Sequence, residues 1–244
     1  MSEPVIAAAT IAKDRSWSLT RWLSALAGQT RPPDYAFVLL NDTSDDSKGL
    51  LYSLSKASLM KPELAWDELN TGDKGVDRVA TPDAPRYSTA NLAMLRNAMI
   101  ERVLSRWPAC SHILSCDSDV ACDPDVLEKL LAADLPVVAA VVRNSTAEVW
   151  NFGCALDELT SGEIVPARSG AESSWLETRE PFRVFYTGAS VLVRRDVAER
   201  VRYVDHRNGE DMAWSLEAAR FGYSLYVHPL ARTRHVQRSG EVWR

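Results

Sequence analysis

Short apolar runs alternate along this chain with longer stretches in which apolar residues recur at helical spacing. That alternation predicts a mostly parallel sheet with crossover helices packed on it. Val5 to Thr10 reads as a buried strand, and Ser16 to Ala27 as a helix with Trp17, Leu19, Trp22, Leu23 and Leu26 on its apolar face. Pro32-Pro33 turns into a second strand, Tyr35 to Leu40, and the polar cluster Asn41 to Asp46 can cap a helix from Asp45 to Ala57. Residues 61–87 predict loop, with a short strand at Leu64 to Trp66. The clearest helical pattern runs from Thr89 to Trp107, with Leu92, Leu95, Met99, Val103 and Leu104 on one broad face.

Ser111 to Cys116 follows as a strand, and Asp123 as N-cap with Pro124 at the first helical position opens a helix to Ala133. Pro136 to Val142 is another buried strand. Residues 143–182, with Trp150, Phe152 and Trp175, break the rhythm and read as an insertion within the same domain. Val184 to Tyr186 and Thr187 to Val193 return to strand, Asp196 to Val201 forms a short helix, and Glu210 to Phe221 a longer one stopped by Gly222. Ser224 to His228 is the last strand.

With 244 residues, 46% hydrophobic and 25% charged, the chain fits one sizeable α/β domain. A net charge of −5 argues against a general nucleic-acid binder. Two arginine clusters, Arg194, Arg195, Arg200, Arg202 and Arg207, then Arg232, Arg234 and Arg238, are either solvated faces or a local patch for an anionic group. No run of apolar residues is long enough to span a bilayer, and Met1 to Pro4 lacks the basic start of a signal peptide. The cysteines, Cys110, Cys116, Cys122 and Cys154, form no C-x-x-C pair. A reduced, cytoplasmic protein is expected.

Candidate chemistry centres on Asp117-Ser118-Asp119, directly behind the strand ending at Cys116. Carboxylates two residues apart in extended chain point to one side, and both stay ionised cheaply only with a cation between them. Hard oxygen ligands suit Mg²⁺ or Mn²⁺, ions that commonly hold a diphosphate. The bland alternative is a pair of loop aspartates capping the next helix. Asp123 and Asp125 read as helix-start residues.

Further features stand in order around this pair: Lys13-Asp14-Arg15 after the first strand, Ala27-Gly28-Gln29-Thr30, Asn41-Asp42-Thr43-Ser44-Asp45-Asp46, Arg96-Asn97, the Pro124 to Leu127 segment, Gly188-Ala189-Ser190, Gly209-Glu210-Asp211 and His235. Together they resemble the GT-A nucleotide-sugar glycosyltransferases, closest to the family 2 type, over Val5 to His235. Two positions depart from that family's pattern: Ser118 stands where a further acidic residue is frequent, and the element at Asn41 lacks its glycine.

The resemblance implies a GT-A fold, Rossmann-like, a single domain with residues 1–119 as the nucleotide-binding half and 120–244 as the acceptor-binding half. It implies a metal-dependent glycosyltransferase acting on a nucleoside-diphosphate sugar, UDP ahead of GDP, with Mn²⁺ or Mg²⁺. Asp117, Asp119 and His235 would serve the metal, and Thr10, Arg15, Asp42, Arg96, Asp117 and Ser118 the donor. Asp211 would be the base of an inverting transfer, with Glu210 as its alternate or as an acceptor contact. The acceptor could be a glycan, a small molecule, a protein or a modified nucleic-acid base. Each residue also has a plainer reading: a helix-start carboxylate for Asp211, a turn residue for Asp42, an exposed helix face for Arg96, a surface imidazole for His235, and core for Trp150, Trp175 and Trp214. A sugar-nucleotide hydrolase or nucleotidyltransferase, and a silent glycan- or nucleotide-binding domain, are the alternative functions.

Overall fold

The computed structural model describes residues 3–57, 61–72, 88–143, 149–153, 166–168, 177–236 and 242–243. Trp175, Arg238, Cys154 and most of the loop before Thr89 lie outside them. The elements in chain order are β1 (Ile6–Ala12), α1 (Ser16–Ala27), β2 (Tyr35–Leu40), α2 (Ser47–Ala57), β3 (Glu63–Glu68), α3 (Thr89–Arg106), β4 (His112–Cys116), β5 (Val120–Cys122) and α4 (Val126–Ala132). There follow β6 (Val137–Val141), β7 (Val149–Gly153), β8 (Pro166–Arg168), β9 (Phe182–Val184), β10 (Ser190–Arg194), α5 (Arg195–Arg200), α6 (Glu210–Arg220), β11 (Leu225–Val236) and β12 (Val242–Trp243).

The main sheet runs β12-β11-β6-β10-β4-β1-β2-β3, with β5 and β9 paired to β11; β7 and β8 form a separate ribbon. Pairs β4–β1, β1–β2, β2–β3 and β6–β11 are parallel, and β10 runs antiparallel between β4 and β6. Because side chains alternate across a strand, each central strand feeds two cores. Ala7, Ala9, Phe37, Leu39 and Ile113 face α3, α5 and α6 with Met99, Val197 and Trp214. Ile6, Ala8, Val38, Leu40 and Leu114 face α1, α2 and α4 with Trp22, Leu51 and Leu127. Truncating a fully buried side chain such as Leu114 would cost about 2–5 kcal/mol. The loops that follow β1, β2 and β4 all emerge at one edge, where ligands collect in open α/β sheets.

Two expectations need correction. The helix after the Asp pair starts at Val126, not at Asp123. The Asp123 amide donates to the Arg232 carbonyl and the Pro124 carbonyl accepts from Thr30, so both residues are tied to neighbours before the helix begins. The cap comes instead from buried Gln29, whose Oε1 accepts from the Leu127 amide at 3.0 Å while its Nε2 donates to the Asp123 carbonyl. The last strand also continues past His228 and Pro229 to Val236, through a register shift between His228 and Arg232. No helix among the described residues is long and apolar enough to cross a membrane.

Candidate active site

A cleft of about 210 Å³ opens at the strand ends, lined by Ile11, Lys13, Arg15, Asn41, Arg96, Asp117, Ser118, Asp119, Glu210 and Asp211 with Leu92 and Leu95 behind. Two loop carboxylates set its rim beside β1 and β2. Asp14 accepts from the Ser44 amide (2.6 Å), the Ser44 hydroxyl and the Asp45 amide. Asp45 accepts from the Ser16 and Ser47 amides, each at 2.9 Å. The loops after β1 and β2 are thereby braced together, which fixes Arg15 at the start of α1.

Asp117, Ser118 and Asp119 leave β4 in a tight turn closed by the Val120 amide on the Asp117 carbonyl. The three-residue β5 then pairs antiparallel with Thr233 to His235 of β11, and the Val236 amide donates to the Asp119 carbonyl at 2.7 Å. This clip brings the His235 Nε2 to 3.6 Å from Asp119 Oδ1, while Arg15 Nη2 stands 3.7 Å from Asp119 Oδ2. Burial alone would raise the Asp119 pKa; the nearby His235 imidazole and the Arg15 charge reverse that and hold it low. Burial disfavours charged His235, but Asp119 and then Asp117 outweigh it and raise its pKa.

Arg96 occupies the centre. On the inner face of α3 and only 7% exposed, it donates from Nη2 to Asp117 Oδ1 (3.1 Å), from Nε to Glu210 Oε1 (3.3 Å) and from Nη1 to Ser115 Oγ (3.4 Å). Asp211 Oδ1 lies 3.6 Å from the same Nε, and the Tyr203 ring covers the guanidinium at 5.6 Å. Asn97, one residue on, locks Tyr203 in place through both backbone groups, at 2.8 and 2.9 Å. The Arg96 guanidinium is thus engaged by carboxylates at the cleft and is not spread on an exposed helix face. Burial works against the charge of Arg96, but Asp211, Asp117 and Glu210 more than offset this and hold its pKa well above the ordinary value.

One cation faces three carboxylates, Asp117, Glu210 and Asp211, so an excess of negative charge remains. Burial, then repulsion from Asp119, raises the Asp117 pKa despite Arg96. Asp211 is pushed up to about 7, first by burial and then by Glu210 and Asp117, against the pull of Arg96. Its side chain is 33% exposed whereas Glu210 is 11% exposed, so of the two carboxylates at the start of α6 Asp211 is the one open to the cleft. Gly209 at φ 106° starts α6 and aims Asp211. Gly188 leaves the space: a Cβ there would stand 2.2 Å from Asp211 Oδ2.

Two predicted donor contacts stand elsewhere. Thr10 is 2% exposed and donates to the Ile11 carbonyl, and Ile11 is the cleft residue of that strand. The Asp42 carboxylate accepts from the Thr71 amide and hydroxyl, the Gly72 amide and Asn41 Nδ2. Asn41 lines the cleft in its stead, its buried Oδ1 without a partner among the described residues. Among the described residues no three His, Cys, Asp or Glu side chains gather as a metal cluster; Asp119 and His235 converge, while Asp117 turns to Arg96.

No protein-family model and no curated protein matches the sequence. Solved structures do. Over 96% of this chain the fold superposes on GalNAc-T7 with UDP, GalNAc and Mn²⁺, with a TM-score of 0.67 and 13% identity over 44% of that chain. Over 94% it superposes on S. aureus TarS 1-349 in complex with UDP-GlcNAc, with a TM-score of 0.56 and 14% identity over 57% of that chain. A197 from STIV matches over 98% of this chain and 92% of its own, at a TM-score of 0.53 and 10% identity. The chain therefore has the fold of GT-A glycosyltransferases, and it spans about half the length of the first two.

Proposed function

We propose that the chain is a metal-dependent glycosyltransferase that moves a sugar from a nucleoside-diphosphate donor, UDP ahead of GDP, to a hydroxyl acceptor with inversion. The observation that carries this reading is the meeting of the Asp117–Asp119 turn and Asp211 in one cleft, across the buried Arg96. Residues up to Asp119 would hold the nucleotide, with Asn41 and Ile11 at the base and ribose, and Lys13, Arg15 and Ser118 toward the phosphates. Residues beyond Asp119 would hold the acceptor. The carboxylate and imidazole of Asp119 and His235 fit Mn²⁺ or Mg²⁺, with Asp117 beside them, and that ion would supply neutralisation of the leaving diphosphate.

Asp211 takes the proton from the acceptor hydroxyl as its oxygen bonds to the anomeric carbon and the bond to the diphosphate oxygen breaks. A carboxylate with a pKa of about 7 is well matched to that work. Arg96 keeps Glu210 and Asp117 oriented and leaves Asp211 the strained member. The complexes of TarS with UDP-GlcNAc and of GalNAc-T7 with UDP and Mn²⁺ support the choice of donor class.

The test is a thermal-shift panel of UDP, GDP, dTDP, ADP and CMP with and without Mn²⁺. A nucleotide at about 100 times its Kd stabilises by about 2.7 kcal/mol. The expected result is one diphosphate that stabilises only with Mn²⁺, a response lost in Asp119→Ala. Stabilisation by none of them would overturn the reading.

A further inference from the structure

A second cavity, of about 570 Å³, is lined by Asp123, Pro124, Val141, Trp150, Arg232, Thr233 and Arg234. Its chemistry is distinct from that of the donor cleft. Arg234 Nε stands 3.0 Å from Asp123 Oδ1, an ion pair without hydrogen-bond alignment. Arg232 is half-buried and has no hydrogen bond or ion pair from its side chain among the described residues, and burial lowers its pKa with no counter-charge to restore it. The Trp150 indole N–H is buried, also without an acceptor. Thr233 is satisfied, its hydroxyl donating to the Val141 carbonyl at 3.0 Å. Among the described residues, two guanidiniums against one carboxylate leave one positive charge in excess, with a second unsatisfied donor in the same cavity.

Half-buried charge and buried N–H groups without partners are costly and point to a ligand that completes them. A guanidinium presents a planar fork of donors that matches oxyanions. β5 joins the two sites: Asp119, in the cleft wall, stands just before that strand and Asp123, in the cavity wall, just after it. Arg232 and His235, three residues apart on β11, leave opposite faces of that strand, so the cavity adjoins the cleft without sharing the Asp119–His235 pair.

We propose that this cavity is an acceptor subsite that binds an oxyanion, phosphate or carboxylate, carried by the acceptor, with Arg232 as the principal contact and Trp150 as second donor. The assignment to an acceptor rests on the glycosyltransferase reading above; the anion site itself does not. Arg234 is already paired and holds Asp123 away from the incoming anion. The excess charge thus selects against neutral acceptors in an otherwise acidic protein.

Calorimetric titration of the full chain with sn-glycerol 3-phosphate, glycerate and glycerol tests it. One or both anions are expected to bind and glycerol to fail, the tighter anion naming the preferred group. Arg232→Gln is expected to weaken that binding at least tenfold, Trp150→Phe to weaken it about threefold, and Arg194→Gln, which loses only an exposed pair with Asp196, to leave it unchanged. Binding that is absent in the wild type, or equal in wild type and Arg232→Gln, would overturn the subsite. The Mn²⁺-dependent UDP shift, measured on the same samples, is expected to survive in every variant. Loss of that shift in the wild type with anion binding intact would sink the donor reading and leave the pocket; the reverse pattern would sink the pocket alone.

Discussion

Asp211→Asn separates the cost of a strained carboxylate from its use. In the folded chain the Asp211 proton is held up to about pH 7, against 3.8 for a free carboxyl. Between those values the folded state binds more protons than the unfolded one, so stability must fall as pH rises and the loss is complete above the folded pKa. The gap corresponds to about 4 kcal/mol at full strength, and screening at a side chain 33% exposed brings the expected figure to about 2 kcal/mol. Asparagine is a neutral near-isostere of the protonated acid. The variant should match the wild type near pH 4 and exceed it by about 2 kcal/mol near pH 8, which at this chain length is a Tm difference of about 4–8 °C. Melts followed by circular dichroism across that range measure it. Transfer should meanwhile fall by about 10²-fold or more, with UDP and Mn²⁺ binding retained. A variant destabilised equally at both ends of the range would refute the argument, because Asp211 would then be an ordinary stabilising partner of Arg96.

The neighbouring groups give three further expectations. Arg96→Met leaves Asp117, Glu210 and Asp211 facing one another without their cation, and should cost about 3–5 kcal/mol in denaturant unfolding at pH 7 and less in acid, where the carboxyls take up protons; a cost under about 1 kcal/mol would disprove the charge balance drawn here. Gly188→Ala places a methyl group 2.2 Å from Asp211 Oδ2, so the turnover number should drop at least about tenfold while UDP binding holds, and unchanged turnover would mean that Asp211 works from another position. Since the His235 pKa is raised by Asp119 above the ordinary imidazole value of 6.5, protons compete with metal at this pair, and Mn²⁺ affinity should weaken with falling pH, beginning above that value; calorimetry showing the same affinity at pH 5.5 and 7.5 would exclude His235 as a ligand.

What the sequence revealed follows the range of the forces involved. Helix Ser16–Ala27 and strand Tyr35–Leu40 stand as expected because their apolar periods are local and strong. β5 is three residues long and carries no period, and Pro229 disguises the continuation of β11, yet their pairing is what brings His235 to Asp119. In the loop after β2, Asn41 and Asp42 are equally polar in sequence. Only Thr71 and Gly72, about thirty residues on, decide that Asp42 is consumed and Asn41 faces the cleft.

Arg96 shows why the centre was the least legible part. Its two sequence readings, a phosphate contact or an exposed helix face, both assumed that it was free. The sheet instead brings the acidic turn after β4 and the acidic start of α6 together: β10 runs antiparallel to β4, from beside Cys116 to beside His112, and α5 with the segment 201–209 carries the chain back to Glu210 beside Arg96. Carboxylates converged in this way meet repulsion they cannot relieve locally. The nearest cation on a rigid element is on α3, and burying it there satisfies Asp117 and Glu210 first. Asp211 is left under-compensated and open to the cleft, which is the condition a general base requires. The strain and the proposed catalysis are then one arrangement, and Asp211→Asn should remove both together.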